Sequence, residues 1–414
     1  MTTGVGTINQ EDALAKLSDM TGGLAPIEEA EFRARLEKAA QLMREKNWQA
    51  LLVSAGSSML YFTGTRWHPS ERLVAALIFP DASIVYISPE FEVSTITDFM
   101  GLKSPVRSWE EHECPYSLVS EILSEKNITS GKLGMDEAAP FFVSNGIAKA
   151  APDLEMVDGA EITARCRMIK SPAEIAIIQR VMDMTIEVHK ATASILTAGI
   201  STTEVVSFID KAHRKVGATK GNFFAIVLFG EATAYPHGVK DPQILKEGDM
   251  VLVDSGCSVH DYISDITRTY VYGTPTERQR QVWGDERAAQ QAAFDAISEG
   301  AAIAAVDAAA RGELESRGYG PGYRVPGLPH RTGHGIGLDI HEWPYLVGNN
   351  DTKLETGMCL SIEPMLCIYG EFGVRLEDHF HIGESGPKWF TQPSKCIDDP
   401  FGLNADWGRL GMGV

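Results

Sequence analysis

Two glutamates limit how this chain can fold. Glu363 stands in the apolar stretch Leu360-Ser361-Ile362-Glu363-Pro364, and Glu377 in Gly373-Val374-Arg375-Leu376-Glu377-Asp378. Both stretches read as strands, and a carboxylate buried in a strand costs several kcal/mol or stays protonated unless a partner meets it. Asp254 ends Val251-Leu252-Val253-Asp254, and Asp265 follows eleven positions on, in Tyr262-Ile263-Ser264-Asp265-Ile266. On the two arms of a hairpin these aspartates can point from one face into one pocket.

Between the two pairs runs His330-Arg331-Thr332-Gly333-His334-Gly335-Ile336-Gly337-Leu338-Asp339-Ile340-His341. Glycines on both sides of His334 let the backbone pass close to whatever the imidazole binds. Four carboxylates gathered in one place repel one another, and two divalent cations balance their four negative charges, with one neutral imidazole completing the set. Oxygen-rich ligands with a single nitrogen and no thiolate favour manganese or cobalt and admit zinc. Two such ions, roughly 3.5 Å apart, can hold a bridging water as hydroxide and grip the oxygen of a scissile carbonyl, so the chemistry expected is hydrolysis.

The remaining pattern divides in two. Apolar residues at three- and four-residue steps predict a helix over 28–46, followed by strands over 50–53, 73–79, 84–87 and 132–135, with Pro80-Asp81-Ala82-Ser83 as a turn. That is an α/β domain without a titratable cluster, assigned to 1–164. Ser171-Pro172-Ala173-Glu174 opens a long helix to about 198, and Ser201-Thr202-Thr203-Glu204 forms the capping box of a second. Strands over 223–229, 250–253, 262–272, 358–362 and 373–382, with one helix over 276–311, make 165–414 an α+β domain.

Composition removes several function classes. Thirty-seven basic against 56 acidic residues leave a net charge of −19, which repels nucleic acid and anionic membranes. The longest apolar runs are strand-length and far short of a membrane span. Six scattered cysteines without a CxxC pair predict reduced thiols, and the first 25 residues lack a secretory pattern, so a cytoplasmic protein is expected.

The order Asp254, Asp265, His334, Glu363, Glu377 with these surroundings resembles the pita-bread metallopeptidases: prolidases, aminopeptidase P and methionine aminopeptidases. The resemblance covers roughly 165–390. It implies that Asp265 and Glu377 bridge two metals, with Asp254 on one and His334 and Glu363 on the other. Glu363 would also take the proton of the bridging water. By the same resemblance His341 steadies the tetrahedral intermediate and His237, in Ala234-Tyr235-Pro236-His237-Gly238, gates the substrate. Arg375 is placed for a substrate carboxylate or for a contact behind the last ligand.

The separate amino-terminal domain and Met59-Leu60-Tyr61-Phe62-Thr63-Gly64 resemble the Xaa-Pro branch, creatinase-like domain included. Expected from this are a peptide substrate with proline after the scissile bond and a homodimer, with Trp67 and His68 on a loop reaching the neighbouring subunit. The alternatives are aminopeptidase P action on longer peptides, phosphotriester hydrolysis at the same metals, or a non-catalytic binding module. Intact ligands argue against the metal-free creatinase chemistry, and Ile340 stands where the sulfonium lyases carry a catalytic aspartate. One departure is Cys367, at a position where Xaa-Pro enzymes usually carry a tyrosine; a thiol cannot repeat its hydrogen bond.

Overall fold

A computed structural model describes residues 1–403 and divides the chain into two compact units. The first is Pro26–Met168. Its sheet has the order β4-β3-β2-β1-β5-β6, built from β1 (Trp48–Ser54), β2 (Ala75–Ile78), β3 (Ile84–Pro89), β4 (Val106–Trp109), β5 (Gly131–Met135) and β6 (Leu154–Asp158). β1, β2 and β3 pair antiparallel, and the outer strands join in parallel. The 80–83 segment is the β2–β3 turn, where Asp81 accepts from the Ser83 N–H at 3.0 Å. Leu52, Leu77, Ile122, Leu133 and Ile147 form its core. Trp67 and His68 follow the helix Ser57–Thr63 in an irregular loop of this unit.

The second unit joins Met1–Ala25 to everything from Ile169 onward. Packing here departs from the expected 1–164 domain. Val5 and Ala13 bury among Val181, Val205 and Phe208, and the Met20 N–H donates to the Val216 carbonyl at 2.9 Å. A short segment carries no local pattern that names its docking partner.

The helices Pro172–Ser194 and Thr202–Lys215 both open with complete capping boxes, Ser171 with Glu174 and Ser201 with Glu204. They cover one face of a sheet with the order β10-β8-β7, formed by β7 (Asn222–Phe229), β8 (Met250–Val259), β9 (Tyr262–Ile263) on β8, and β10 (Ile266–Val271). Alternation divides β8: Val251 and Val253 face those helices, while Met250 and Leu252 face the cluster that holds Val282, Trp283 and Leu314.

The single helix expected over 276–311 is two, Glu277–Asp295 and Ile303–Ser316. Gly300, at φ 79, turns the chain between them, inside an alanine-rich run whose helix propensity hides the break. A second sheet has the order β12-β11-β13-β16-β17, from β11 (Gly333–Gly335), β12 (Glu342–Leu346), β13 (Cys359–Ile362), β16 (Asp378–Gly383) and β17 (Gly386–Trp389). Between β13 and β16 the chain forms a separate ribbon of β14 (Met365–Ile368) and β15 (Phe372–Arg375). The strands expected over 262–272 and 373–382 are therefore each interrupted, the first at Ser264-Asp265 and the second at Leu376-Glu377. Among the described residues no helix is long and apolar enough to cross a membrane, and all six cysteines are free.

Candidate metal centre

Three of the four expected acids occupy breaks between strands. Asp265 lies between β9 and β10, Glu363 between β13 and β14, and Glu377 between β15 and β16. At a break the side chain is aimed by what flanks it rather than by the pleat. The fourth, Asp254, lies within β8 opposite Thr267, so both project from one face. Asp265, at the break just before β10, reaches the same pocket, its Oδ2 3.7 Å from His334 Nε2. The hairpin turns at His260 and Asp261, both at positive φ, the two-residue geometry that matches strand twist.

His334 is placed by its neighbours. A Cβ on Gly333 would stand 2.1 Å from the Ser361 carbonyl, so only glycine lets β11 approach β13 this closely. The His334 N–H donates to Ser361 Oγ at 2.8 Å. Its Nδ1 faces the Gly335 carbonyl at 3.0 Å, which leaves Nε2 as the inward atom.

Around Nε2 stand Glu363 Oε1 at 3.0 Å and Asp265 Oδ2 and Glu377 Oε1 at 3.7 Å each. Asp265, His334, Glu377 and His379 each offer one ligand atom, and these atoms lie within 4.8 Å of one another, all four side chains buried. His379 is an addition to the expected set: it lies on β16 opposite Ser361, two residues past Glu377, and alternation was the signal that could have found it. His330 was in the motif without a role; it is half-buried, and it and Glu363 influence each other's ionisation.

Charge explains the strain in this cluster. Burial, then the charges of Glu377, Asp254 and Glu363, push the Asp265 carboxyl well above the usual range. Burial and Glu363 push Glu377 up to about 7. Burial works against a proton on His334, but Glu363 and Glu377 outweigh it and raise the imidazole to about 10. Burial would raise Glu363 as well, yet His334, His330 and Arg375 hold it below the usual range. The cluster is short of positive charge, which a pair of divalent ions would supply.

The donor set fits such ions. Asp254 Oδ1, Asp265 Oδ1, Glu377 Oε1, His334 Nε2 and both ring nitrogens of His379 are buried with no properly formed hydrogen bond among the described residues. Natural proteins rarely leave so many orphaned polar atoms in one place. The other atoms of the same acids are tied down. Thr267 Oγ1 donates to Glu377 Oε2 at 2.7 Å and accepts from Arg375 Nε at 3.0 Å. Arg375 Nη2 is bonded to Asp254 Oδ2, and Nη1 donates to the Pro236 carbonyl at 3.1 Å. Arg375, 3% exposed, is thus bonded to Asp254, Thr267 and the Pro236 carbonyl at once.

Of the remaining expected residues, His341 is exposed at the rim, its ring 4.2 Å from that of His334. Burial on its inner side, with the charge of His334, pushes it down to about 4. His237 is exposed on the loop whose Pro236 carbonyl Arg375 holds, and its charge acts on both His341 and His330. Cys367 is fully buried in the apolar cluster with Met365 and Leu366, its thiol pushed up to about 12 by burial.

Buried acids and imidazoles aimed into one pocket of a two-sheet scaffold, with a basic side chain behind them, form a candidate metal centre. The chain belongs to metallopeptidase family M24: residues 176–384 match that family, and residues 35–169 match the creatinase/prolidase N-terminal domain. It is similar to the dipeptidase PepE of Mycobacterium ulcerans, at 30% identity and TM-score 0.83 over 89% of this chain and 97% of that one. A prolidase of Thermococcus sibiricus matches at 28% and 0.79, covering 87% and 97%. The Xaa-Pro dipeptidase of Bacillus anthracis matches at 26% and 0.77, covering 88% and 99%. The architecture is accordingly a creatinase-like α/β domain followed by a pita-bread α+β domain, and the protein is a hydrolase of the metallopeptidase class.

Proposed function

We propose that this protein hydrolyses Xaa-Pro dipeptides in the cytoplasm as a homodimer, using two divalent ions held by Asp254, Asp265, His334, Glu363 and Glu377. The observation that carries the reading is the set of orphaned inward atoms on buried acids and His334, in a chain whose similar structures include dipeptidases and an Xaa-Pro dipeptidase. When bound, the ions supply a water activated at neutral pH and a Lewis acid for the scissile carbonyl. Manganese or cobalt suits the oxygen-rich set, and the added nitrogen of His379 keeps zinc in contention.

The side chains divide the remaining work. Glu363, its Oε1 3.0 Å from His334 Nε2 and its side chain 14% exposed, is the acid at hand to accept a proton. His341, neutral and at the rim, is positioned to donate to the oxygen on which charge develops. His237, on the exposed loop, orders the substrate. Arg375 and Thr267 keep Asp254 and Glu377 aimed.

The test is cleavage of Ala-Pro, Leu-Pro, Ala-Ala, Ala-Pro-Ala and Met-Ala-Ala after chelation and refilling with manganese, cobalt or zinc, with His334→Ala as control. Metal-dependent cleavage confined to Ala-Pro and Leu-Pro is the expected result. Cleavage of Ala-Pro-Ala would move the assignment to aminopeptidase P, and cleavage of Ala-Ala alone would remove the proline requirement.

A further inference from the structure

β13 and β16 pair as far as Ile362 opposite Asp378. Beyond that pair the chain parts, through Glu363 into β14 on one side and from β15 through Leu376 and Glu377 on the other. The ladder therefore stops setting the distance between the two segments just where the two glutamates stand. One side chain spans the opening. Gln290, on the helix Glu277–Asp295, is fully buried, and its Nε2 donates to the Leu376 carbonyl at 3.1 Å, to Asp378 Oδ2 at 3.1 Å and to the Ile362 carbonyl at 3.4 Å. Two of these partners are carbonyls, which can only accept, so the amide nitrogen is the atom that faces them.

The two carbonyls are those of the residues immediately before Glu363 and Glu377. A peptide unit is planar, so fixing the Ile362 oxygen fixes the plane from which Glu363 departs, and fixing the Leu376 oxygen does the same for Glu377. The anchor itself is firm. Asp378 is held through its other oxygen by Arg268 at 2.6 Å and Thr391 at 2.7 Å. Glu286, one helical turn before Gln290, accepts from the Leu376 N–H at 3.2 Å, so both polar groups of that peptide are gripped by one helix. Asp254 and Asp265, on the β8–β10 hairpin, receive nothing from Gln290.

We propose that Gln290 is a positioning residue, which sets the separation of Glu363 and Glu377 by holding the two carbonyls that precede them. This rests on the metal-centre reading above and not on the identity of the substrate. Its loss loosens two of the proposed ligands together and leaves the aspartate hairpin in place, so the two ions are affected unequally: the one assigned to His334 and Glu363 weakens more than the one on Asp254.

The experiment titrates metal-free, full-length wild type, Gln290→Met, Gln290→Lys and Phe208→Ala with manganese by calorimetry, and with cobalt by its visible absorption, which reports the ligand set. Gln290→Met keeps a similar reach and removes the donors; it should weaken uptake by about 10- to 100-fold, the range for a contact behind a metal ligand, and alter the spectrum of bound cobalt. Gln290→Lys restores N–H donors and should recover part of the affinity. Phe208→Ala truncates the core on the face of the first sheet opposite Asp254. It should lower the melting temperature and leave both titrations at wild-type values, which separates aim from stability. Titrations of Gln290→Met that match wild type, or a loss that Phe208→Ala reproduces, overturn the role of Gln290. Should Gln290→Met melt too early to titrate, Gln290→Asn, an amide one methylene short of the two carbonyls, reads the same contrast. A wild type that takes up neither metal overturns the metal-centre reading itself, and this assignment with it.

Discussion

Thr267→Val removes a single hydroxyl and keeps its volume. That hydroxyl donates to Glu377 at 2.7 Å, accepts from Arg375 at 3.0 Å, and is itself fully buried. Glu377 is 1% and Arg375 3% exposed, so water cannot replace the lost partner for either. Hydrogen bonds to charged groups contribute about 1.5–3 kcal/mol each, so losing two at their lower bound costs about 3 kcal/mol of stability. The same loss frees the Glu377 carboxylate to rotate away from the other ligands. Removing a contact behind a metal ligand weakens metal binding by about 10- to 100-fold. Urea denaturation of the metal-free protein measures the first quantity and calorimetric metal titration the second, with Thr267→Ser, which keeps the hydroxyl, as the reference. If Thr267→Val matched Thr267→Ser in both, the claim that this hydroxyl aims Glu377 would be wrong.

Lys170 and Glu342 form an ion pair with side chains 1% and 7% exposed; Lys170→Met alone should cost about 3–5 kcal/mol in urea denaturation, and much of that should return when Glu342→Leu is added. Acid should weaken the fold through His213, which burial pushes from 6.5 down to about 4. The folded state binds that proton more weakly than the unfolded chain, so the contribution is complete above pH 6.5 and lost as pH falls toward 4, about 3 kcal/mol in all. Denaturation midpoints from pH 7 to 4.5 should therefore fall less steeply for His213→Gln than for wild type. Chelation should lower the melting temperature, and refilling to about 100 times Kd should restore roughly 2.7 kcal/mol; a scanning calorimeter reading no difference would argue against metal binding by the native state.

The residues of the candidate site were more legible in the sequence than the elements around them. Asp254, Glu363 and Glu377 stand out because a charged residue in an apolar strand-like run has few bland explanations. His379 was hidden among ordinary strand residues: it shares a face with His381, and only the register that sets it opposite Ser361 tells which of the two lies beside the acids. The interruptions at Asp265 and Glu377 were also missed, because both segments remain apolar on either side of the break. Arg375 could be read as a substrate contact or as a contact behind the last acid, and only the folded hairpin reveals its bond to Asp254. The docking of Met1–Ala25 depends on distant partners such as Val181 and Val205, and no local periodicity encodes a distant partner.

The proposed ligands come from two different sheets and the breaks beside them, Asp254 and Asp265 on one hairpin and His334, Glu363 and Glu377 far along the chain. Contacts of such sequence separation form late, after most loop closure has been completed. The nascent chain therefore has no place where an ion could act as a template, in contrast to small domains whose fold begins on a metal. An ion held by the proposed ligands would act only as a latch on a finished assembly. Metal starvation during synthesis should consequently yield folded chains that activate as soon as metal arrives, with no refolding step between.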